Sequence, residues 1–461
     1  MVPFLGIIIS FALLGILLYR FVLEPFFLNP LSRLPGPKLY ASTKWRLATD
    51  DWGRRTRSID ALHKQYSSVV RIGPNEVHFN SIAALRTIYG AGSGFERTPF
   101  YSMFDVYGKK NLFTFSTVAD HAKRKRLLAH AYSKSAILKG HPAIIVQDKI
   151  RDFLQLLEDI LRPSNVEIFS ALHYYSIDVI STFVYGTEKF GATTALQGTS
   201  SHVHLLDDIM DHSRRRLAWF AVHLPSLTSW MYSRTGLVGS LVRPLLPMQK
   251  PSTYSGIRAH ALRAMQSYCD ADADAQAKVS ESIIARLWKV KAQAELSDLD
   301  IASECADHLL AGIDTTSDTL MFLLWALSHP SHAHIQRKLI DECHSIDGSA
   351  IKDGVVDLEV ADRLPYLGAV IKETLRLYAP LPASEPRTSR VDMVIDGYEI
   401  PRGTICSTAP YSLHRNAEVF PEPLRWDPER WLRDESDPAL AIMKKWWWPF
   451  SSGARMCIGL Q

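Results

Sequence analysis

The chain opens on an unbroken apolar run: no charged residue stands between Val2 and Tyr19, and Leu, Ile, Phe and Val dominate. Eighteen helical residues at about 1.5 Å each reach roughly 27 Å, enough for a slightly thin bilayer core. The pattern predicts a transmembrane helix over residues 1–20. A cleaved signal peptide is the competing reading, but no Lys or Arg precedes the run and no small-residue cleavage pattern follows it. Basic residues gather on the far side, at Arg20, Arg33, Lys38, Lys44, Arg46, Arg54, Arg55 and Arg57, so everything after residue 20 is expected in the cytosol. Leu34-Pro35-Gly36-Pro37 then breaks the helix. Residues 21–39 read as a proline-containing hinge about which anchor and body are separately oriented.

Beyond residue 40 the periodicity is mostly helical, with small strand islands and no repeat, linker or low-complexity stretch, so residues 40–461 read as one large domain. Val69–Ile72 and Val77–Phe79 form one expected hairpin around Gly73-Pro74. Val391–Ile395 and Tyr398–Ile400 form another around Asp396-Gly397, a type I′ turn signal. The expected fold class is mainly α, of the α+β kind. One long helix is legible from its ends, Ser297-x-x-Asp300 as a cap and His329-Pro330 as a stop, which gives Asp298–Ser328. Residues 220–250 are unusually apolar and read either as core or as a second membrane-touching surface.

Composition narrows the class. Of 461 residues, 47% are apolar and 22% charged, an ordinary globular balance. A net charge of +4 over this length gives no argument for a nucleic-acid partner. Five widely spaced cysteines fit no disulfide framework and suit a reducing compartment.

Four short motifs carry candidate chemistry. Ala311-Gly312-Ile313-Asp314-Thr315-Thr316 places poor helix formers inside the long helix. Gly312 admits another group to the backbone, which is either function or close helix packing; the motif alone leaves both open. Glu373 and Arg376 share a helix face, the spacing of an ordinary surface ion pair. Trp426-Asp427-Pro428-Glu429-Arg430-Trp431 is an aromatic loop. The last, Phe450-Ser-Ser-Gly453-Ala-Arg455-Met-Cys457-Ile-Gly459, is the strongest. Its glycines permit a tight loop whose N–H groups can point at sulfur, and Arg455 favours a thiolate.

Together these motifs resemble the cytochrome P450 superfamily: Phe450-x-x-Gly453-x-Arg455-x-Cys457-x-Gly459 its haem-ligand signature, Ala311-Gly312-x-Asp314-Thr315-Thr316 its oxygen-side helix, Glu373-x-x-Arg376 its Glu-x-x-Arg helix, and Pro428-Glu429-Arg430-Trp431 its Pro-Glu-Arg loop. Their order and separation agree, and anchor plus Pro35-Gly36-Pro37 is the microsomal pattern; the style most resembles fungal secondary-metabolism members. The resemblance implies haem b (iron protoporphyrin IX) with Cys457 as axial thiolate. It gives Phe450 a place beside the ligand, and Arg455 and Arg387 a haem propionate each. It implies that Asp314 and Thr315 relay protons to bound dioxygen, that Gly312 makes room for it, and that Glu373, Arg376 and Arg430 form a buried structural network. The implied protein is a single-pass endoplasmic reticulum monooxygenase. It would act on a small apolar organic substrate with O₂ and electrons from a separate NADPH–cytochrome P450 reductase, because no flavin or dinucleotide fingerprint is present. Its cavity would be lined by Tyr101–Phe115, His308, Ala311 and Leu381–Ser384.

Two departures stand out. Where the family often has Trp-x-x-x-Arg, this chain reads His121-Ala-Lys-Arg-Lys125, so Lys125 keeps the charge without bidentate geometry and Arg124 is offered as its substitute. The sequence also stops two residues past Gly459, where the family continues into a helix and strands, so a truncated chain that holds haem poorly is expected. The alternatives are an O₂-independent haem-thiolate isomerase or dehydratase, against which Asp314-Thr315 counts, and a truncated non-catalytic paralogue.

Overall fold

A computed structural model describes residues 2–45, 54–161, 167–249 and 255–460; Arg46 of the basic cluster lies outside them. Helices dominate, with small sheets, and the described residues fall into two compact units. One comprises Met1–Phe100, Pro382–Pro421 and Met443–Arg455; the other comprises Tyr101–Leu381, Glu422–Ile442 and Met456–Gln461.

The first unit holds the main sheet. Val69–Gly73 and Glu76–Phe79 pair antiparallel, Ile405–Ser407 joins parallel to the second strand, and Arg387–Thr388 and Glu96–Arg97 follow. The second expected hairpin forms over Met393–Ile395 and Tyr398–Ile400, shorter than its apolar run. Asp396 at φ 48° and Gly397 at φ 80° make its turn. Val69, Val77, Phe79, Leu85, Ile88 and Trp448 build this unit's main core.

The apolar N-terminal helix does not stop at residue 20. An α-helix over Val2–Leu18 continues as a wider helix over Tyr19–Leu28, and Ile7–Leu28 is long and apolar enough to cross a membrane. In this structure the following segment is hydrogen-bonded to the first strand. The buried Arg71 guanidinium donates to the Pro25 carbonyl at 2.8 Å and to the Pro74 carbonyl at 2.7 Å, while its backbone N–H donates to the Pro35 carbonyl. Gly36, at φ 147°, lies so close that a Cβ would sit 2.6 Å from the Arg71 carbonyl oxygen.

The second unit is built on the long helix, which runs Asp298–Ser328 with the expected capping box of Ser297 and Asp300. Its apolar face, Ile301, Ala302, Cys305, Ala306, Leu309 and Ile313, packs with Ile177 and Val184 of the Ile168–Tyr185 helix. Farther along, Leu323, Ala326 and Leu327 meet Ile335, Tyr366 and Val370. The apolar segment after residue 220 is largely surface rather than core: Leu237 is 87% exposed, Leu241 77% and Leu245 68%. Left in water, these three leucines forgo burial that would stabilise by several kcal/mol.

Candidate functional site

In the first unit, the segment leading to the cysteine is fixed by side chains. Ser452 Oγ–H donates to the Tyr89 carbonyl at 3.2 Å, Trp448 Nε1–H to Ser452 Oγ at 3.1 Å, and Ser451 Oγ–H to Glu385 Oε2 at 2.9 Å. Phe450 packs on Trp447, ring centroids 5.8 Å apart. Gly453 adopts φ 62°, and a Cβ there would lie 2.4 Å from the Tyr89 carbonyl oxygen, so both backbone angle and space require glycine. Gly459 is different: a Cβ there would meet the Cys457 sulfur at 4.0 Å, an ordinary contact. Arg455 is buried. Arg387 is buried too, with its guanidinium 3.2 Å from Glu385 and over the Tyr89 ring at 5.3 Å.

In the second unit, Cys457 is exposed while its neighbours are held. Lys125 Nζ donates to the Met456 carbonyl at 2.7 Å, and Ile458 packs against the core. The expectation for Arg124 needs correction. Adjacent helical residues point about 100° apart, and here Arg124 points inward. Its Nη1 meets Glu304 Oε2 at 2.5 Å, with Glu304 wholly buried, and its charge lies over the Phe115 ring. Arg124 therefore belongs to the protein interior, and Lys125 alone of the two reaches the ligand segment.

The long helix carries Ala311, Gly312, Asp314 and Thr315 within two turns. A Cβ at Gly312 would sit 2.6 Å from Ile180 Cγ1 and 3.0 Å from its Cβ, so the missing side chain admits the Ile168–Tyr185 helix. Close helix packing is therefore what the glycine provides on this side. Thr315 Oγ1–H donates to the Ala311 carbonyl one turn back at 2.7 Å. The Asp314 carboxylate pairs with Arg214 through one oxygen, and its other oxygen is buried without a partner. Burial, then the Asp314 charge, pushes the neighbouring Asp318 carboxyl above its ordinary value. Of the expected cavity lining, Ala311 is exposed, whereas His308 is buried and tied to Tyr132 at 2.5 Å.

Glu373 and Arg376 are not a surface pair. Both are wholly buried, and Arg376 donates through Nε to Glu373 Oε2 and through Nη2 to Oε1, each at 2.8 Å. The same carboxylate accepts Arg430 Nε at 3.0 Å, Trp431 Nε1 at 2.9 Å and the Asp427 amide at 2.9 Å. Arg376 also caps the Pro423 and Arg425 carbonyls. Such a pair is tolerated in the interior because the carboxylate accepts five hydrogen bonds and the guanidinium donates at least four.

Arg214 and Glu304 escaped the sequence reading. Glu304 carries a weak signal: with His308, Ala311 and Thr315 it falls on one helical face at spacings of 4, 3 and 4, a polar residue where burial was to be expected.

The chemistry of this donor set suits iron porphyrin: one accessible thiol, cations on neighbouring positions, and a glycine-locked approach. The cytochrome P450 family model matches residues 35–461. The chain is 27% identical over 465 residues to cytochrome P450 monooxygenase orf2 of Aspergillus niger, covering 99% of this chain and 86% of that protein. It is 29% identical over 451 residues to cytochrome P450 monooxygenase hkm5 of Aspergillus hancockii, at 95% and 83% coverage. Pisatin demethylase of Fusarium vanettenii is 26% identical over 445 residues, at 94% and 80% coverage.

Proposed function

The chain belongs to the cytochrome P450 family, a haem-thiolate oxidoreductase class, and from that premise we propose a membrane-anchored monooxygenase of the fungal secondary-metabolism type, with Cys457 as the axial ligand. It oxidises a small apolar organic substrate. One oxygen atom of O₂ enters the product, and the other leaves as water with two protons and two electrons delivered from NADPH by a separate reductase. The observation that carries the reading is the exposed Cys457 thiol, whose preceding residue Met456 is held by Lys125 through its carbonyl.

The haem, when bound, supplies the oxygen-activating and electron-storing chemistry. Cys457 supplies the anionic donor, and the neighbouring Lys125 and Arg455 cations favour its deprotonated form. Arg455, Lys125 and Arg387 would hold the propionates, with Arg387 already paired to Glu385. Phe450, as the family resemblance implies, would sit beside the ligand and limit water there. Asp314 and Thr315 would relay protons on the oxygen side: the Asp314 oxygen not engaged by Arg214 accepts a proton from water, and the Thr315 hydroxyl, which donates to Ala311 O, hands its own proton on as it takes the replacement.

The Ile7–Leu28 helix crosses the endoplasmic reticulum membrane once, with the remainder in the cytosol, as the basic residues after it favour. The exposed Leu237, Leu241 and Leu245 rest in the same bilayer's interface. Reconstitution with the reductase tests the reaction. Labelled O₂ should leave one atom in product and one in water, with NADPH consumed; turnover that persists without O₂ would overturn it.

A further inference from the structure

The segment Lys109–Phe113 is fastened to the long helix residue by residue. Lys109 Nζ lies 3.3 Å from Asp300, its carbonyl accepts Ser303 Oγ–H at 3.2 Å, and Asn111 Nδ2 reaches Ser303 Oγ at 3.5 Å. The Leu112 amide donates to Glu304 Oε1 at 3.0 Å and the Phe113 amide to Asp307 Oδ2 at 3.3 Å. Buried main-chain N–H groups need an acceptor, and a carboxylate is a strong one. Glu304 is wholly buried, with its second oxygen neutralised by Arg124 and with His308 Nε2 3.3 Å from Oε1. A carboxylate suits this position because both of its faces meet donors, so a glutamine would turn its own N–H₂ toward one of them. The same anchoring sets the Phe113 ring, which packs edge-on against Tyr101 at 5.3 Å and Phe104 at 5.4 Å.

We infer that Glu304 is a positioning residue for substrate fit: by holding the Leu112 amide it fixes the main chain and aromatic cluster of the 101–115 segment. That this segment lines the substrate cavity rests on the monooxygenase reading; that Glu304 fixes it does not. The stripe Asp300, Ser303, Glu304, Asp307 therefore acts as a staple, and cavity shape is governed by a residue that touches no substrate.

Two double variants of the full chain isolate the acceptor without leaving a buried charge. Glu304→Gln with Arg124→Met keeps a carbonyl for Leu112, and Glu304→Leu with Arg124→Met removes it. Glu304→Asp, which keeps the charge but draws it back, is a third variant should either double fold poorly. Hydrogen exchange of the peptide spanning residues 109–115 should be about tenfold faster in the Leu–Met variant than in the Gln–Met variant, with Asp between wild type and Leu–Met. In the haem-loaded protein, 4-phenylimidazole affinity read from the ferric Soret shift should change several-fold between the two doubles, while imidazole affinity stays constant. Equal exchange in all variants, or an unchanged ratio of the two ligands, would overturn the inference. Failure of wild type to bind either ligand would count against the haem reading, and the exchange comparison would still decide the role of Glu304.

Discussion

Replacing Glu373 by glutamine puts the buried network to its hardest test. The carboxylate accepts five hydrogen bonds, three at Oε1 (Arg376 Nη2, Arg430 Nε and the Asp427 amide) and two at Oε2 (Arg376 Nε and Trp431 Nε1). A glutamine amide keeps one oxygen, and the less costly orientation puts it at the three-donor site. Its N–H₂ then faces two donors. Each lost bond to a charged group costs about 1.5–3 kcal/mol, and a buried cation deprived of its counter-ion about 3–5 kcal/mol. The Arg376 side chain is wholly buried and Arg430 nearly so, so solvent offsets little of this. The sum, at least about 5 kcal/mol, matches or exceeds the stability of many domains. Glu373→Gln should therefore give little folded protein, judged by near-ultraviolet circular dichroism and resistance to proteolysis. Adding Arg376→Met and Arg430→Met should restore part of the folded fraction by removing the stranded cations. A Glu373→Gln chain as stable and protease-resistant as wild type would refute the reasoning.

Gly312→Ala should destabilise by about 1–2 kcal/mol, overpacking against Ile180 outweighing the gain in helix propensity, and Ile180→Ala in the same chain should reverse the sign of the change. Urea midpoints read this, and additive effects would contradict the packing assignment. Gly453→Ala should abolish haem retention while leaving helix content intact, because its Cβ meets the Tyr89 carbonyl, and pigment recovered per mole of protein is the readout. His63 and His78 share a 2.7 Å hydrogen bond, and burial pushes both pKa values below the ordinary value near 6.5. Folded protein thus binds fewer protons than unfolded below about pH 6.5, so stability is complete above that pH and falls as pH drops, by up to about 1.4 kcal/mol per unit for each histidine. Unfolding midpoints at about pH 7.5 and about pH 5.5 should differ, and His63→Gln with His78→Gln should flatten that difference.

The parts of the fold that local chemistry governs were open to reading. The Ser297–Asp300 box and the His329-Pro330 stop set the long helix to its terminal residues, and Asp396-Gly397 set a turn of two positive φ angles. Direction was harder. Glu373 and Arg376 at a spacing of three share a face, but spacing does not say whether that face meets water or Trp431. Arg124 and Lys125 are chemically alike and adjacent, and only the packing of the 118–128 helix sends one to Glu304 and the other to Met456. Glu304 shows only a weak helical-face signal, and its partners, 180 and 192 positions away, were out of reach. Gly312 read equally as packing or function until Ile180 appeared against it.

The central claim is that the Cys457 sulfur is the iron's protein ligand, and the carbon monoxide complex of the reduced membrane-bound protein tests it most directly. Wild type should show the red-shifted Soret band diagnostic of a thiolate ligand, and Cys457→Ser should lose it together with bound haem. A Cys457→Ser chain that keeps its pigment and the same band would contradict the account.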